Sequence, residues 1–212
     1  MRILLVEDQT LLRQHLLQYL SDCFPGSVIT EAKSLADLKQ LSAQNTSFEL
    51  AVVDLDLPDG NALEWIAEET LRPNAPKIVI LSAEHHEYVI YKALHANVSG
   101  FVHKNDEHAI LLTALRAVLD GGYYFSPSVN VLRQKIQRAP DFFLKILSTR
   151  EQHILRLVAQ NYSDTEIAAE LSLRVASVGS HRKNIMAKLD LHSRDQLVAY
   201  GKEKGFDRIS PD

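Results

Sequence analysis

Three carboxylates close one short apolar run: "AVVDLDLPDG", residues 51–60, carries Asp54, Asp56 and Asp59 ahead of Gly60. A second acidic pair, Glu7 and Asp8, follows the apolar run "RILLV" at 2–6. Ser82 ends the run "KIVILS" at 77–82, and Lys104 ends "GFVHK" at 100–104. Grouped carboxylates repel one another unless a cation lies among them. A set of hard oxygen ligands suits Mg²⁺, which accepts one or two carboxylates and keeps places for water and phosphoryl oxygens. A carboxylate is also a nucleophile towards phosphoryl groups. A lysine and a hydroxyl beside it would bind the oxygens of the group transferred.

These residues work together only if the runs that carry them lie side by side. Five short apolar runs, at 2–6, 27–32, 49–54, 77–82 and 100–104, alternate with the amphipathic stretches "LLRQHLLQYL", "SLADLKQLSAQ", "NALEWIAEETL", "YVIYKALHA" and "EHAILLTALRAVL". That alternation predicts an α/β domain, a doubly wound five-stranded parallel sheet with helices on both faces. In such a sheet ligands gather at the carboxyl ends of the strands. Glu7, Asp8, Asp54, Ser82 and Lys104 all fall there, with Asp54 at the focus and Asp56 and Asp59 in the loop beside it.

From Gly121 the rhythm breaks. "GGYYFSPS" and Pro140 mark residues 121–146 as a linker with one helical stretch, "VNVLRQKIQ". Residues 147–212 read as all helix. Three Ser-x-x-Glu/Gln boxes, "STRE" (148–151), "SDTE" (163–166) and "SRDQ" (193–196), each precede an apolar periodic run. A further helix over about 175–189 completes a four-helix helix-turn-helix unit. The expected organisation is therefore 1–120, a linker at 121–146, and 147–212.

The chain has 212 residues and a net charge of -4, unevenly spread: -8 over 1–120, +3 over 121–146 and +1 over 147–212. An acidic front and a mildly basic rear suggest modules with different partners. One cysteine, Cys23, excludes an internal disulfide and a cysteine zinc site. No apolar run approaches the roughly 20 residues of a membrane span, and "ILLV" is too short for a signal-peptide core. The expectation is a cytoplasmic protein without a membrane partner.

With these motifs in place, the front 120 residues resemble the receiver domain of two-component response regulators, and residues 147–204 resemble the LuxR-type DNA-binding domain of the NarL/FixJ subfamily. The first resemblance rests on Glu7 and Asp8, on Asp54 four residues before Pro58, and on Ser82 and Lys104, in order and at fitting separations. It implies that Asp54 is the phospho-acceptor, that Phe101 is the aromatic switch, and that Glu7, Asp8, Asp54 and the backbone carbonyl of Asp56 hold Mg²⁺. A sensor histidine kinase would be the donor. The second rests on "LSTRE", "EIAAEL" and "SVGSHRKNIMAKL". It implies a recognition helix in the major groove of double-stranded DNA. Gly179, Ser180 and Lys183 then face bases, and Ser177, His181, Arg182, Asn184 and Lys188 serve phosphate contacts or local support. The sequence departs from the family at Arg174, where a small capping residue is usual, and at Ala176 and Gly179, where basic residues are common. The last helix resembles a dimerisation helix, which implies a homodimer when phosphorylated or DNA-bound. The expectation is a phosphorylation-dependent transcription regulator and not an enzyme. A rival reading takes "DLDLP" as an Asp-x-Asp phosphohydrolase motif, with Asp54 as nucleophile and Asp56 as general acid. Pro58 fits that reading poorly, and Glu7, Asp8 and the helical rear have no place in it.

Overall fold

The structure is a computed structural model of the chain and describes residues 1–44, 46–138 and 143–209. Pro140, part of the expected linker, and residues 210–212 of the expected rear domain lie outside the described residues. The chain divides into two compact units, residues 1–85 with 90–133, and residues 86–89 with 134–212.

The first unit alternates strand and helix as the apolar runs predict: β1 (Arg2–Val6), α1 (Thr10–Cys23), β2 (Val28–Ala32), α2 (Leu35–Ala43), β3 (Leu50–Val53), the short hairpin β4 (Asp56–Leu57) and β5 (Gly60–Asn61), α3 (Leu63–Glu69), β6 (Lys77–Ser82), α4 (Glu87–His95, of which residues 90–95 belong to this unit), β7 (Gly100–His103), α5 (His108–Leu119) and β8 (Tyr124–Phe125). The main sheet runs in the order β2-β1-β3-β6-β7-β8, parallel at every pairing. Its inner strands are apolar between their ends because both faces are covered. Ile3, Leu5, Leu50, Val52, Val79, Leu81 and Val102 point to one face, where Leu16 and Leu20 of α1 and Leu111, Ala114, Leu115 and Val118 of α5 pack on them. The alternate residues Leu4, Val6, Ala51, Val53, Ile78, Ile80 and Phe101 are also buried and point the other way.

The sheet has six strands where five were expected. The sixth, β8, comes out of "GGYYF", a segment whose glycines read as linker. Gly121, at φ 88, takes the left-handed conformation just past α5 and turns the chain back. Tyr124 N–H then donates to Ser99 O at 3.0 Å and Ser126 N–H to Phe101 O at 2.9 Å. The neighbouring strand admits this approach because Gly100 has no side chain: a Cβ there would lie 2.9 Å from the Tyr124 carbonyl oxygen. The expected helical stretch follows as α6 (Pro127–Arg138).

The second unit holds α7 (Phe143–Ile146), α8 (Thr149–Ala159), α9 (Asp164–Glu170), α10 (Val175–Lys188) and α11 (Arg194–Glu203), closed by a 3₁₀ turn at Phe206–Arg208. Ile154, Leu155, Leu157, Val158, Ile167, Val178, Ile185, Leu197 and Phe206 are fully buried. Two of the expected capping boxes are complete: Ser148 with Glu151, and Ser163 with Glu166. At the third, Ser193 accepts from the Gln196 amide, but the Gln196 side chain accepts from the His192 N–H at 2.7 Å instead of from Ser193. The box is thus displaced by one residue on its returning arm.

Candidate functional site

Backbone register brings the chemistry together before any side chain is considered. Val6 is paired with Val53, and Asp54 N–H donates to Val6 O at 3.0 Å, so Asp54 and the Glu7–Asp8 pair leave adjacent strands side by side. This is the point where the sheet's winding reverses, between β1 and β3. Ser82 is paired with His103, and Lys104 N–H donates to Ser82 O at 3.0 Å, which puts Ser82 and Lys104 abreast on the next two strands.

Lys104 then reaches across. Its Nζ lies 2.7 Å from Asp54 Oδ2 and 2.8 Å from Glu7 Oε2, and all three side chains are largely withdrawn from water. Ligand oxygens of Glu7, Asp8 and Asp54 lie within 4.8 Å of one another. One lysine faces three carboxylates, so the cluster has excess negative charge in a poorly hydrated place. Burial pushes the Glu7 carboxyl above its ordinary range, Lys104 pulls it back by less, and Asp54 pushes it further up. Burial works against the charge on Lys104, but hydrogen bonds and attraction from Asp54 and Glu7 outweigh it and hold its pKa above the ordinary lysine value. The donor set, three carboxylates within one ion's reach, fits a small divalent cation: it supplies only hard oxygen ligands and would gain from the added positive charge.

The remaining residues named from the sequence fall as follows. Ser82 is fully buried, and its Oγ accepts from the Glu84 amide at 3.3 Å. Phe101 is 0% exposed in the sheet core, paired with Ile80 on one side and Phe125 on the other. Asp56 is exposed on β4, with its amide 3.4 Å from Asp54 Oδ1. Asp59 stands apart from the cluster. Its two oxygens accept from the amides of Leu35 at 2.7 Å and Ala36 at 3.0 Å, so it caps the start of α2 together with Ser34.

Sequence reasoning passed over Arg13. It lies on the buried stripe of α1 with Leu16 and Leu20, and its Nη1 donates to the carbonyl oxygens of both Glu7 and Asp8 at 2.9 Å. The available signal was a charged residue at an apolar register position of an amphipathic helix.

In the second unit the recognition-helix candidates sort by exposure along α10. Ser180, Lys183, Asn184 and Lys188 are exposed, and Ser177, His181 and Arg182 are half-buried. Two cations are tied inward. Arg182 grips Asp164 of α9 through Nη2 at 2.9 Å and Nε at 3.2 Å, and Arg194 of α11 joins the same carboxylate at 3.1 Å. Lys188 Nζ lies 2.8 Å from Glu151 Oε2, the capping-box acid of α8. Ser180 Oγ donates to Ala176 O at 3.0 Å, one turn back. Gly179, half-buried, sits beside Asp164: a Cβ there would be 3.9 Å from Oδ2, an ordinary contact. Asp164 and Arg194 also escaped the sequence reading, because their partners are far off in the chain. The hydrogen bond from Arg182 holds the Asp164 carboxyl below the ordinary aspartate range; burial opposes this and Arg194 adds to it.

Residues 3–116 match the family described as "Response regulator receiver domain". Residues 145–200 match "Bacterial regulatory proteins, luxR family". The chain is 30% identical over 215 residues to the "Oxygen regulatory protein NreC" of Staphylococcus carnosus, covering 96% of this chain and 98% of that protein. It is 27% identical over 208 residues to the "Glycerol metabolism activator" of Pseudomonas putida, covering 93% of each. Among solved structures it is similar in fold to RcsB from Salmonella enterica serovar Typhimurium bound to a promoter in the presence of a phosphomimetic, with a TM-score of 0.67, 22% identity, and coverage of 96% of this chain and 98% of that one. Another similar fold, with a TM-score of 0.54 and 23% identity over 97% of this chain and 98% of that one, is the response regulator ChrA of a heme-sensing two-component system.

Proposed function

Since the chain belongs to the two-component response regulators of the NarL/FixJ type, DNA-binding transcription regulators with a receiver in front and a LuxR-type domain behind, we propose that Asp54 is the residue through which this receiver is phosphorylated. A receiver implies a histidine kinase as partner, and receivers as a class bind Mg²⁺ at the phosphorylation site. The reading assigns the domains to residues 1–120 and 147–212, with 121–146 between them, and β8 (Tyr124–Phe125) of that stretch pairs with β7 at the edge of the receiver's sheet.

The observation that carries the assignment is the position of Asp54, 2.7 Å from Lys104 and within one ion's reach of Glu7 and Asp8. In the reaction a carboxylate oxygen of Asp54 attacks the phosphorus of a phosphohistidine on the kinase. The new P–O bond forms as the P–N bond breaks, and the imidazole nitrogen leaves with the electron pair and takes a proton from solvent. Glu7, Asp8, Asp54 and the Asp56 carbonyl are the groups to hold Mg²⁺, which when bound supplies positive charge to the phosphoryl oxygens. Lys104 carries a second positive charge to the same oxygens. Ser82 can turn its hydroxyl proton towards them, since its oxygen already accepts from Glu84. The resemblance puts the family's aromatic switch on Phe101, which is fully buried.

The output is DNA binding by α10. Lys183 is the long exposed cation on its outer face, suited to guanine O6 and N7. Ser180 and Asn184 share that face, and His181 and Ser177 flank it. Two copies of the chain would read two half-sites. Among the described residues no helix is long and apolar enough to cross a membrane, and a regulator that reads DNA works where the DNA is, in the cytoplasm.

The test is chemical. With Mg²⁺ and a small phosphodonor, Asp54 gains the mass of one phosphoryl group in a base-labile form, and Asp56 and Asp59 do not. Full labelling of Asp54→Asn together with loss of labelling in Asp56→Asn moves the acceptor and overturns the assignment.

A further inference from the structure

We propose that Arg13 is a positioning residue for the acidic pair: its buried guanidinium fixes the two peptide groups that aim Glu7 and Asp8 at the cation. The inference rests on the reading of Glu7, Asp8 and Asp54 as the Mg²⁺ ligands and adds a residue that touches none of the metal's own positions.

Arg13 is 5% exposed, unusual for an arginine on a helix at the rim of a sheet. A buried guanidinium is retained only where its N–H groups find acceptors. Here Nη1 serves Glu7 O and Asp8 O, both at 2.9 Å, and Nε pairs with Glu31 Oε2 at 3.0 Å. The start of the helix that follows gives the loop no side-chain anchor of its own: Gln9, the N-cap of α1, makes no side-chain cap bond, and the first turn has no acid. Glu7 is fixed at four places: its N–H by Ala32 O at 3.1 Å, its carbonyl by Arg13, Oε1 by the Gln9 N–H at 3.1 Å, and Oε2 by Lys104. The Asp8–Gln9 peptide is held from both sides, its carbonyl by Arg13 at 2.9 Å and its N–H by Glu7 Oε1 at 3.1 Å, while Arg13 is the side chain that ties this peptide to the one before it.

Position, rather than charge, is what Arg13 contributes. A bare cation near the ligands would repel Mg²⁺, but Glu31 lies 3.0 Å from Arg13 Nε and offsets part of its charge. A guanidinium can also donate two bonds from one nitrogen while a third is taken at Nε, a fork that the point charge of lysine cannot copy. Groups that orient metal ligands from behind usually change metal affinity by roughly 10–100-fold when removed.

Titration calorimetry of the full chain with Mg²⁺ tests this, alongside thermal unfolding without Mg²⁺ followed by Trp65, the single tryptophan. Arg13→Gln is expected to weaken Mg²⁺ about tenfold or more. Arg13→Lys, which keeps the charge and most of the bulk, is expected to weaken it by at least about threefold, and Glu31→Gln, which leaves both Nη1 bonds intact, by less than that. If Arg13→Gln lowers the melting temperature but binds Mg²⁺ as the parent does, or if Arg13→Lys binds it unchanged, Arg13 is merely structural and the proposal is overturned. Asp8→Asn separates the two layers. If it leaves Mg²⁺ affinity intact, the acidic rim is not the cation site, and the positioning role falls with it.

Discussion

Lys104→Met gives the sharpest view of what the acidic cluster costs the metal-free receiver. The side chain is close in length but carries no charge, so Glu7 and Asp54 are left facing one another with Asp8 beside them. At an effective dielectric constant near 20, each contact of Lys104, at 2.7 and 2.8 Å, is worth about 6 kcal/mol before desolvation is counted. Desolvation removes much of that gain, and measured losses on breaking one side of a buried pair run at about 3–5 kcal/mol. Glu7, which burial already disposes to keep its proton, can neutralise itself when the lysine is gone. That escape places the expected loss at the lower end, about 3 kcal/mol, or roughly 10 °C in melting temperature for a domain of this size. Trp65 sits in α3 and is 7% exposed, so its fluorescence during thermal unfolding of the full chain reports on the receiver alone. Asp54→Asn in the same background should recover part of the loss, because it removes one of the repelling carboxylates, and the double-mutant cycle gives the coupling directly. Mg²⁺ at about 100 times its dissociation constant adds about 2.7 kcal/mol to any receiver that binds it, and the variant should regain stability on this scale. A Lys104→Met protein that melts within about 2 °C of the parent without Mg²⁺ refutes the premise that the carboxylates are held together against their repulsion.

Three further outcomes follow from the rear unit. Lys183→Ala should relax preference at one base pair of each half-site by roughly 1–3 kcal/mol, read from binding curves on a randomised half-site; unchanged preferences would place base reading elsewhere. Asp164→Asn releases the guanidiniums of Arg182 and Arg194, so general DNA affinity should rise and the salt dependence should steepen by about one to two counterions per protomer; an unchanged slope would show that neither arginine reaches a phosphate. The carboxyls of Glu151 and Asp164 are both depressed, the first because Lys188 and Ser148 outweigh burial and the second by Arg182. Their contribution is complete above the ordinary values of 4.5 and 3.8 and is lost as pH falls through the lower folded-state values. Hydrogen exchange in α8–α10, corrected for intrinsic rates, should therefore quicken as pH falls below 4.5, and less so in the Glu151→Gln, Asp164→Asn double variant. An equal response in both proteins would remove these two acids from the acid sensitivity.

The acidic site was legible in the sequence because a parallel sheet turns a one-dimensional pattern into a place. Each apolar run ends where the strand ends, so Glu7, Asp8, Asp54, Ser82 and Lys104 could be assigned to one rim from periodicity alone, and the strands fall within a residue or two of the runs that announced them. Capping boxes are equally local, and two of the three formed in full. What the chain order could not carry were contacts set by how elements approach. β8 is two residues long, too short for any periodicity, and it exists because Gly100 leaves room beside the sheet edge. Asp59 read as a member of the acidic loop, yet the hairpin delivers it to the start of α2, 23 and 24 residues away in sequence. Arg182 read as a phosphate contact or local support on the recognition helix, with no partner named; the crossing of α9, α10 and α11 puts Asp164 within its reach and takes Arg194 to the same carboxylate. Arg13 drew no reading from the sequence, and only the packing of α1 against the sheet turned it inward, to the carbonyls of the two acids. Residue type and spacing determine which groups can share a strand end. Ion pairing between helices depends on crossing angles and side-chain reach, and those exist only once the chain has folded.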